Sequence, residues 1–313
     1  MDVDTKRDLI TIWDLTTEEI HHLLGLAGRL KADMKAGRPH RWLAGKTMAM
    51  IFEKPSLRTR VTFETGMNQL GGQAIYLGPS DILLGRRESV ADIGKNLSLW
   101  VDMILARTFL HDSVVKLAGS AQVPVINGLS DLYHPCQVLA DCFTLTELRD
   151  DLQPLSICFV GDGNNMVHSW LIAAAKLGFR FTLVCPEGYE PDPKILAEAQ
   201  EAADSELRVT NDLMDGTRDA DVLYTDVWTS MGQEQEAEER RKIFAPYQVN
   251  QSVVENAADD VIVMHCLPAH RGEEITAEVI DGPHSQILPQ AENRLHIQKA
   301  LIAWLLKAPH ALI

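Results

Sequence analysis

The feature of this sequence that most limits its fold is a regular alternation of short apolar segments with longer amphipathic ones. Residues 47–52 read Thr-Met-Ala-Met-Ile-Phe and are predicted to form a buried strand, and residues 56–70 are predicted to form a helix. The alternation continues along the chain, with further strands predicted at 73–77, 102–108, 123–127, 155–161, 180–185, 207–210, 221–227 and 261–266. This pattern predicts an α/β fold in which helices flank parallel sheets.

The length of the chain predicts that these strands and helices form two domains. Chains longer than about 250–300 residues usually split their hydrophobic core, and this chain has 313 residues. A polar stretch at residues 149–153 precedes the helix-breaking Pro154. We therefore predict a first domain at residues 1–149 and a second domain at residues 150–290, followed by a helical segment at 291–313.

Charge and composition argue against several classes of protein. The chain has 44 acidic and 29 basic residues and a net charge of −15, whereas nucleic-acid binding needs a basic surface. No apolar run approaches the roughly 18 residues of a membrane helix, and the first residues do not have the pattern of a signal or transit peptide. The five cysteines include no C-x-x-C pair. We therefore expect a cytoplasmic chain with neither disulfides nor a zinc finger.

Hydroxyl and guanidinium side chains cluster where the strand at 47–52 leads into a helix. Ser56 is a suitable N-cap, Thr59 lies in the first turn, and Arg58 lies between them. Free backbone N–H groups and the helix dipole favour an anion there, and arginine can bind phosphate oxygens in pairs. Arg60 is expected on another face in a structural role. Arg294, at the start of the final helix, is a further candidate for the anion; the alternative is an exposed arginine that pairs with Glu292 or Asp281.

Two further motifs place polar side chains at predicted helix starts. His134 precedes Pro135, which begins a helix and leaves Gln137 one turn further on, so both side chains can hydrogen-bond a carbonyl or amide. Residues 161–166 (Gly-Asp-Gly-Asn-Asn-Met) resemble half of a dinucleotide fingerprint but lack its third glycine, so NAD binding is not expected. The amides of the two asparagines, including Asn165, suit a carboxylate. The alternative for His134 is a histidine that only caps the helix, and the alternative for residues 161–166 is a turn capped by asparagine.

Two motifs follow predicted strands in the second half of the chain. Asp226 lies at the end of a strand, where its carboxylate can pair with an ammonium group, and the Ser-Met-Gly of residues 230–232 suits a loop that closes over a substrate. Cys266 follows another strand, with His265 and His270 nearby. The spacing matches no structural zinc site, so we favour a polar thiol in the site over a metal ligand, with an inert buried cysteine as the alternative.

Together and in this order, the motifs at residues 53–60, 134–137, 226–233 and 265–268 resemble those of the aspartate/ornithine carbamoyltransferase family. The Asp-Val-Trp-Thr-Ser-Met-Gly and His-Cys-Leu-Pro motifs are similar to those of its ornithine-specific branch. The resemblance implies that carbamoyl phosphate and L-ornithine give L-citrulline and phosphate, and we expect neither a metal nor an organic cofactor. It also implies a first domain that binds carbamoyl phosphate, a second that binds ornithine, a C-terminal helix that crosses back to the first domain, and a homotrimer or an assembly of trimers.

The resemblance also assigns roles to individual residues. Carbamoyl phosphate binding is implied for Ser56, Leu57, Arg58, Thr59, Arg107, His134, Gln137, Cys266, Leu267 and Arg294. Ornithine binding is implied for Asn165, Asp226, Ser230, Met231 and Cys266. The residues expected to act in catalysis are Arg107, His134, Asp226 and Cys266.

Leu83 departs from the pattern of the family. Relatives carry Gln or His at this position, and that residue reaches carbamoyl phosphate from the neighbouring subunit, so we expect weaker carbamoyl phosphate binding in this chain. Two alternatives to the ornithine hypothesis stay open. The acceptor could be another amine, such as putrescine or an N-acylated ornithine, or the chain could be a catalytically weakened relative.

Overall fold

The computed structural model describes residues 6–229 and 236–311. They form two compact units. The first unit comprises the chain up to Phe143 together with the chain from Asn293 onward, and the second comprises Thr144–Glu292. The final helix therefore begins in the second unit and ends in the first, which confirms the return of the C-terminal helix to the first domain.

The first unit contains a four-stranded parallel sheet with the order β2-β1-β3-β4. Its strands are β1 (Thr47–Phe52), β2 (Gln73–Leu77), β3 (Met103–Arg107) and β4 (Val125–Leu129). Its helices are α1 (Thr17–Lys35), α2 (Leu57–Gln69), α3 (Pro79–Ile82), α4 (Val90–Leu97) and α5 (His111–Ser120), and α6 (Pro135–Leu148) begins here. The central strands β1 and β3 are buried along nearly their whole length, as expected for parallel strands covered on both faces, while the edge strand β2 is partly exposed.

The second unit contains a five-stranded parallel sheet with the order β7-β6-β5-β8-β9. Its strands are β5 (Ser156–Val160), β6 (Arg180–Val184), β7 (Leu207–Thr210), β8 (Val222–Thr225) and β9 (Ile262–His265). Its helices are α7 (Asn165–Leu177), α8 (Pro193–Ala202), α9 (Leu213–Thr217), α10 (Ala237–Phe244), α11 (Gln251–Asn256) and α12 (Ala277–Ile280), and α13 (Ile287–Leu305) begins here. Trp170 anchors one face of this sheet, because its ring packs against Phe181 and Tyr224 at centroid distances of 6.2 and 5.5 Å.

The predicted α/β class with two parallel sheets is confirmed, and every predicted strand is present with ends that differ by no more than two residues. The final helix begins earlier than predicted, at Ile287 rather than near residue 291. Pro289 lies in its first turn, where no backbone N–H is needed, so this proline does not delay the start of the helix. The sequence also does not predict α3, α9 and α11, which are too short to show helical periodicity. None of the helices in the described ranges has the length and apolar character that a bilayer span requires.

Polar side chains lie buried along α13 in the first unit. Lys31 donates a hydrogen bond to Asn293 at 2.7 Å, and Lys299 donates to Gln69 at 2.9 Å. His296 is fully buried, and its two ring nitrogens have no hydrogen-bond partner among the described residues. Burial and the nearby lysines, Lys299 first, lower the pKa of His296 to about 3. The folded chain therefore holds this histidine neutral where an unfolded chain would protonate it.

We expect this histidine to make the fold sensitive to acid. The unfolded chain binds a proton at His296 below about pH 6.5 and the folded chain does not, so the contribution to stability is lost as the pH falls through that value. Between pH 7 and pH 5, His296→Leu should lose about 2 kcal/mol less unfolding free energy than the unaltered chain. Urea unfolding at both pH values measures this difference. His21→Leu, at an exposed position, serves as the control, and equal losses for all three chains would contradict the prediction.

Candidate active site

In the first unit, candidate site residues lie near the carboxyl ends of the strands. Arg107 is the last residue of β3, and α2 begins five residues after the end of β1. His134 directly precedes α6, and the backbone N–H of Gln137 donates to its carbonyl at 3.1 Å. Because parallel strands all end at the same edge of a sheet, the fold brings these segments together where α/β proteins bind ligands.

The N-terminus of α2 is formed as the sequence predicts. The Ser56 hydroxyl accepts a hydrogen bond from the backbone N–H of Thr59 at 3.3 Å, so Ser56 caps the helix. Leu57 is the first helical residue and is 74% exposed. Free N–H groups and the positive end of the helix dipole thus lie beside Arg58.

Two buried arginines share one hydroxyl acceptor. Arg294 donates to the Thr59 hydroxyl at 2.9 Å and to the Gln137 side-chain carbonyl at 2.7 Å. Arg107 donates to the same hydroxyl at 3.5 Å. Both guanidinium groups are more than nine-tenths buried, and the acceptors in these hydrogen bonds are uncharged. These hydrogen bonds orient the two guanidinium groups without neutralising them, and a guanidinium group is suited to bind an anion.

His134 is buried in the same group. Burial lowers its pKa well below the usual value for histidine, and the positive charges of Arg294, Arg107 and Arg58 lower it further. The imidazole is therefore neutral at pH 7, with one nitrogen able to donate and the other able to accept. A neutral donor beside three arginines suits the carbonyl oxygen of an acyl phosphate.

In the second unit, the Asp226 carboxylate accepts hydrogen bonds from two side chains. The Cys266 thiol donates to Oδ1 at 3.0 Å, and the Asn164 side-chain amide donates to Oδ2 at 3.3 Å. Asn164 also caps α7 through its side-chain oxygen, so Asn165 is the first residue of that helix. Asp226 is 9% exposed. A carboxylate beside a thiol and amides can hold and orient an amine.

A hydrogen-bond network fixes the segment that carries Cys266. The backbone N–H of Leu267 donates to Nδ1 of His265 at 2.9 Å, which places the proton on Nε2, where it bonds Glu274 at 3.0 Å. The His265 backbone N–H donates to the Gln290 side chain at 2.9 Å. The sequence analysis assigned no role to Glu274 or Gln290, because no local pattern links either residue to His265.

Some predicted residues lie outside these two groups. Ser230 and Met231 are not among the described residues. Arg60 is exposed, pairs with Glu64 at 3.4 Å and stacks on the Tyr76 ring at 3.8 Å, in agreement with a structural role. The alternative for Arg294, an exposed arginine, is wrong, since its guanidinium is buried and Asp281 pairs with Arg271 instead.

Potential metal ligands also approach one another in the second unit. Ligand atoms of Asp226, His265 and Cys266 lie within 4.8 Å of one another, and so do those of His270, Glu273 and Glu274. Hydrogen bonds within these groups, such as the one from Cys266 to Asp226, account for their proximity. The expectation that the site needs no metal stays a prediction.

Comparison with known proteins gives matches over nearly the whole chain. Residues 7–147 match the model of the aspartate/ornithine carbamoyltransferase carbamoyl-P binding domain, and residues 153–305 match that of the Asp/Orn binding domain. The chain is 55% identical to an ornithine carbamoyltransferase of Thermococcus kodakarensis over 95% of both chains. It is 54% identical to an anabolic ornithine carbamoyltransferase of Pyrococcus furiosus, also over 95% of both.

Solved structures give the same result. The structure of the ornithine carbamoyltransferase from Pyrococcus furiosus superposes with a TM-score of 0.93 at 52% identity, covering 96% of both chains. That of the enzyme from Thermus thermophilus superposes with a TM-score of 0.87 at 42% identity, covering 96% of this chain and 99% of the other.

The arrangement in the first unit predicts that inorganic phosphate binds there. Arg294→Gln should weaken phosphate binding about tenfold or more, because it removes a buried charge-assisted donor. Arg60→Gln is the matched control and should change the affinity less than twofold, since Arg60 is engaged elsewhere on α2. Isothermal titration calorimetry measures both affinities. Equal weakening by the two variants would contradict the assignment of Arg294.

Proposed function

This chain belongs to the aspartate/ornithine carbamoyltransferase family, and we propose that it transfers the carbamoyl group of carbamoyl phosphate to the side-chain amine of L-ornithine. The products are L-citrulline and phosphate. The observation that carries the proposal is the buried group of Arg107, His134 and Arg294. Arg107 and His134 lie within the residues that match the carbamoyl-P binding domain, and Arg294 belongs to the final helix, which bonds to residues of that domain. The reaction serves arginine biosynthesis or, in reverse, catabolism, and the anabolic name of one relative favours biosynthesis.

The first unit binds and polarises carbamoyl phosphate. Ser56, Leu57, Arg58 and Thr59 hold the phosphate with hydroxyls, backbone N–H groups and one guanidinium, and Arg294 adds charge. Arg107 and the neutral His134 donate to the carbamoyl oxygen, and Gln137 holds the carbamoyl amide. These donors are in place before charge develops on the oxygen and on the departing phosphate, and one donor of this kind typically contributes about 10²–10³ in rate.

The second unit binds ornithine and prepares its amine. Asn165, with Ser230 and Met231, holds the amino acid, while Asp226 and Cys266 orient the side-chain amine. The family resemblance also assigns the Leu267 carbonyl and the Cys266 thiol to the carbamoyl NH2. The amine must lose a proton before it attacks, and at pH 7 that costs roughly 4–5 kcal/mol for a group with a reference pKa of ~10.4. The Asp226 carboxylate assists this proton loss.

The assembly, the location and the cofactor requirement belong to the same proposal. The chain works as a homotrimer or an assembly of trimers, since the resemblance brings residue 83 of one subunit to the site of the next. It acts in the cytoplasm, which accords with the five cysteines, none of which forms a disulfide. Its residues perform the reaction without a metal or an organic cofactor.

The test of this function is an acceptor panel. The purified chain is incubated with carbamoyl phosphate and, separately, with ornithine, putrescine, N-acetylornithine and aspartate, and the carbamoylated product is measured. We expect turnover with ornithine alone, with a rate that rises from pH 7 to pH 8.5 as more of the amine is neutral. Turnover with another amine would overturn the ornithine assignment. No turnover with any acceptor would favour a catalytically weakened relative.

Leu83 provides a second test. This residue is 44% exposed and follows α3 in a left-handed conformation with φ of 44°. Leu83→Gln restores the type of side chain that relatives place there, so the Michaelis constant for carbamoyl phosphate should fall about tenfold, as one hydrogen bond to a charged ligand allows. Leu99→Gln makes the same chemical change at another exposed leucine and should leave the constant unchanged. An unchanged constant in Leu83→Gln would contradict this role.

A further inference from the structure

We propose that Arg240 is a positioning residue for ornithine binding, because it joins the loop that carries Asp226 to the loop that carries Asn165. Arg240 lies on α10, outside every motif that the sequence analysis selected. This inference rests on the proposed function, since it assumes that these two loops hold ornithine.

Arg240 is a buried residue of a strongly charged helix. Its residue is 4% exposed, whereas the neighbouring Glu239 and Arg241 are exposed. Its Nε donates to the backbone carbonyl of Trp228 at 2.5 Å, and its Nη2 pairs with Asp162 at 2.5 Å. One guanidinium thus bonds both the segment after β8 and the segment after β5.

Two aromatic rings hold the guanidinium in this orientation. Its carbon lies 4.9 Å from the ring centroid of Tyr189 and 5.1 Å from that of Phe244, and the two rings meet edge to face. The Tyr189 backbone carbonyl also accepts from the N–H of Gly163 at 2.8 Å. A Cβ at Gly163 would lie 2.4 Å from backbone atoms of Glu190, so the β5 loop is packed too tightly there for any other residue.

The contacts of Arg240 close a ring of hydrogen bonds that includes Asp226 and runs through Asn164, the residue before Asn165. The Asn164 backbone N–H donates to the Asp162 carbonyl at 2.8 Å, and the Asn164 side chain donates to Asp226 at 3.3 Å. Trp228 lies two residues beyond Asp226 and bonds Arg240, which returns to Asp162. Removal of Arg240 opens this ring at both loops at once.

Asp162 depends on Arg240 for its charge. Burial raises the pKa of Asp162, and the nearby Arg240 opposes that rise. Without the arginine, the carboxyl group must take up a proton or turn toward solvent, because a buried charge without a counterion is costly. Either change alters the turn at Gly161 and Gly163 from which α7 and Asn165 begin.

The effect should fall on ornithine and not on carbamoyl phosphate. The residues that hold carbamoyl phosphate through Thr59 and Arg294 belong to the first unit, and Arg240 belongs to the second. Arg240→Gln should raise the Michaelis constant for ornithine roughly tenfold to a hundredfold, because a misplacement of about 1 Å in a positioning group has effects of this size. The affinity for carbamoyl phosphate should change less than twofold.

The experiment compares four variants with the unaltered enzyme by steady-state kinetics, carbamoyl phosphate calorimetry and thermal unfolding. Arg240→Gln removes both bonds. Arg240→Lys keeps a charge for Asp162 but cannot make both bonds together. The Michaelis constant of Arg240→Lys for ornithine should therefore lie between those of the unaltered enzyme and Arg240→Gln. Asp162→Asn keeps the bond from Arg240 to Trp228 and carries the test if Arg240→Gln does not fold. Arg241→Gln is the matched control, because Arg241 is exposed and pairs with Glu273 at 3.0 Å.

A selective rise for ornithine, graded from Arg240→Lys to Arg240→Gln and absent in Arg241→Gln, supports the proposal. An unchanged Michaelis constant overturns it, and so does a parallel loss of ornithine binding, carbamoyl phosphate binding and thermal stability, which indicates a general structural role. Failure of the proposed function is recognised separately, since the unaltered enzyme would then bind carbamoyl phosphate yet form no citrulline.

Discussion

The hydroxyl of Thr59 is the contact on which the carbamoyl phosphate half of this protein depends. It accepts hydrogen bonds from Arg107, at the end of a central strand, and from Arg294, on the last helix. Because a hydroxyl carries no charge, it orients two guanidinium groups without neutralising them. The group keeps the affinity for an anion that a carboxylate in the same place would have removed.

The second unit uses the opposite arrangement. Asp226 is a carboxylate surrounded by donors from Cys266, Asn164 and its own loop, so it is held in place while it keeps its capacity to accept from an amine. In both units, the side chain that we propose to bind the ligand is held by residues of other helices, strands or loops. The parallel sheets bring those neighbours together, because every strand ends at the same edge.

Signals in the local sequence were sufficient to predict helix starts and strands. Ser56 before a helix and Pro135 at a helix start each have one favourable backbone role, and the apolar segments between them form the predicted strands. Contacts between distant parts of the chain have no such signal. The bonds from Arg240 to Asp162 and from Arg294 to Gln137 depend on strand order and loop shape, and nothing near these residues in sequence specifies a partner. The roles of the individual site residues therefore stay predictions until they are tested.

The position of Arg294 in the chain links ligand binding to the completeness of the polypeptide. Its partner Thr59 lies 235 residues earlier. The buried group of Arg107, His134 and Arg294 is therefore complete only after α13 has been synthesised and its second half has packed in the first unit. A ligand that binds only this finished arrangement stabilises it in proportion to the logarithm of its concentration. A polypeptide that stops before Asn293 lacks Arg294 and should receive less of that stabilisation. We therefore expect carbamoyl phosphate to stabilise polypeptides that include α13 more than polypeptides that stop before it.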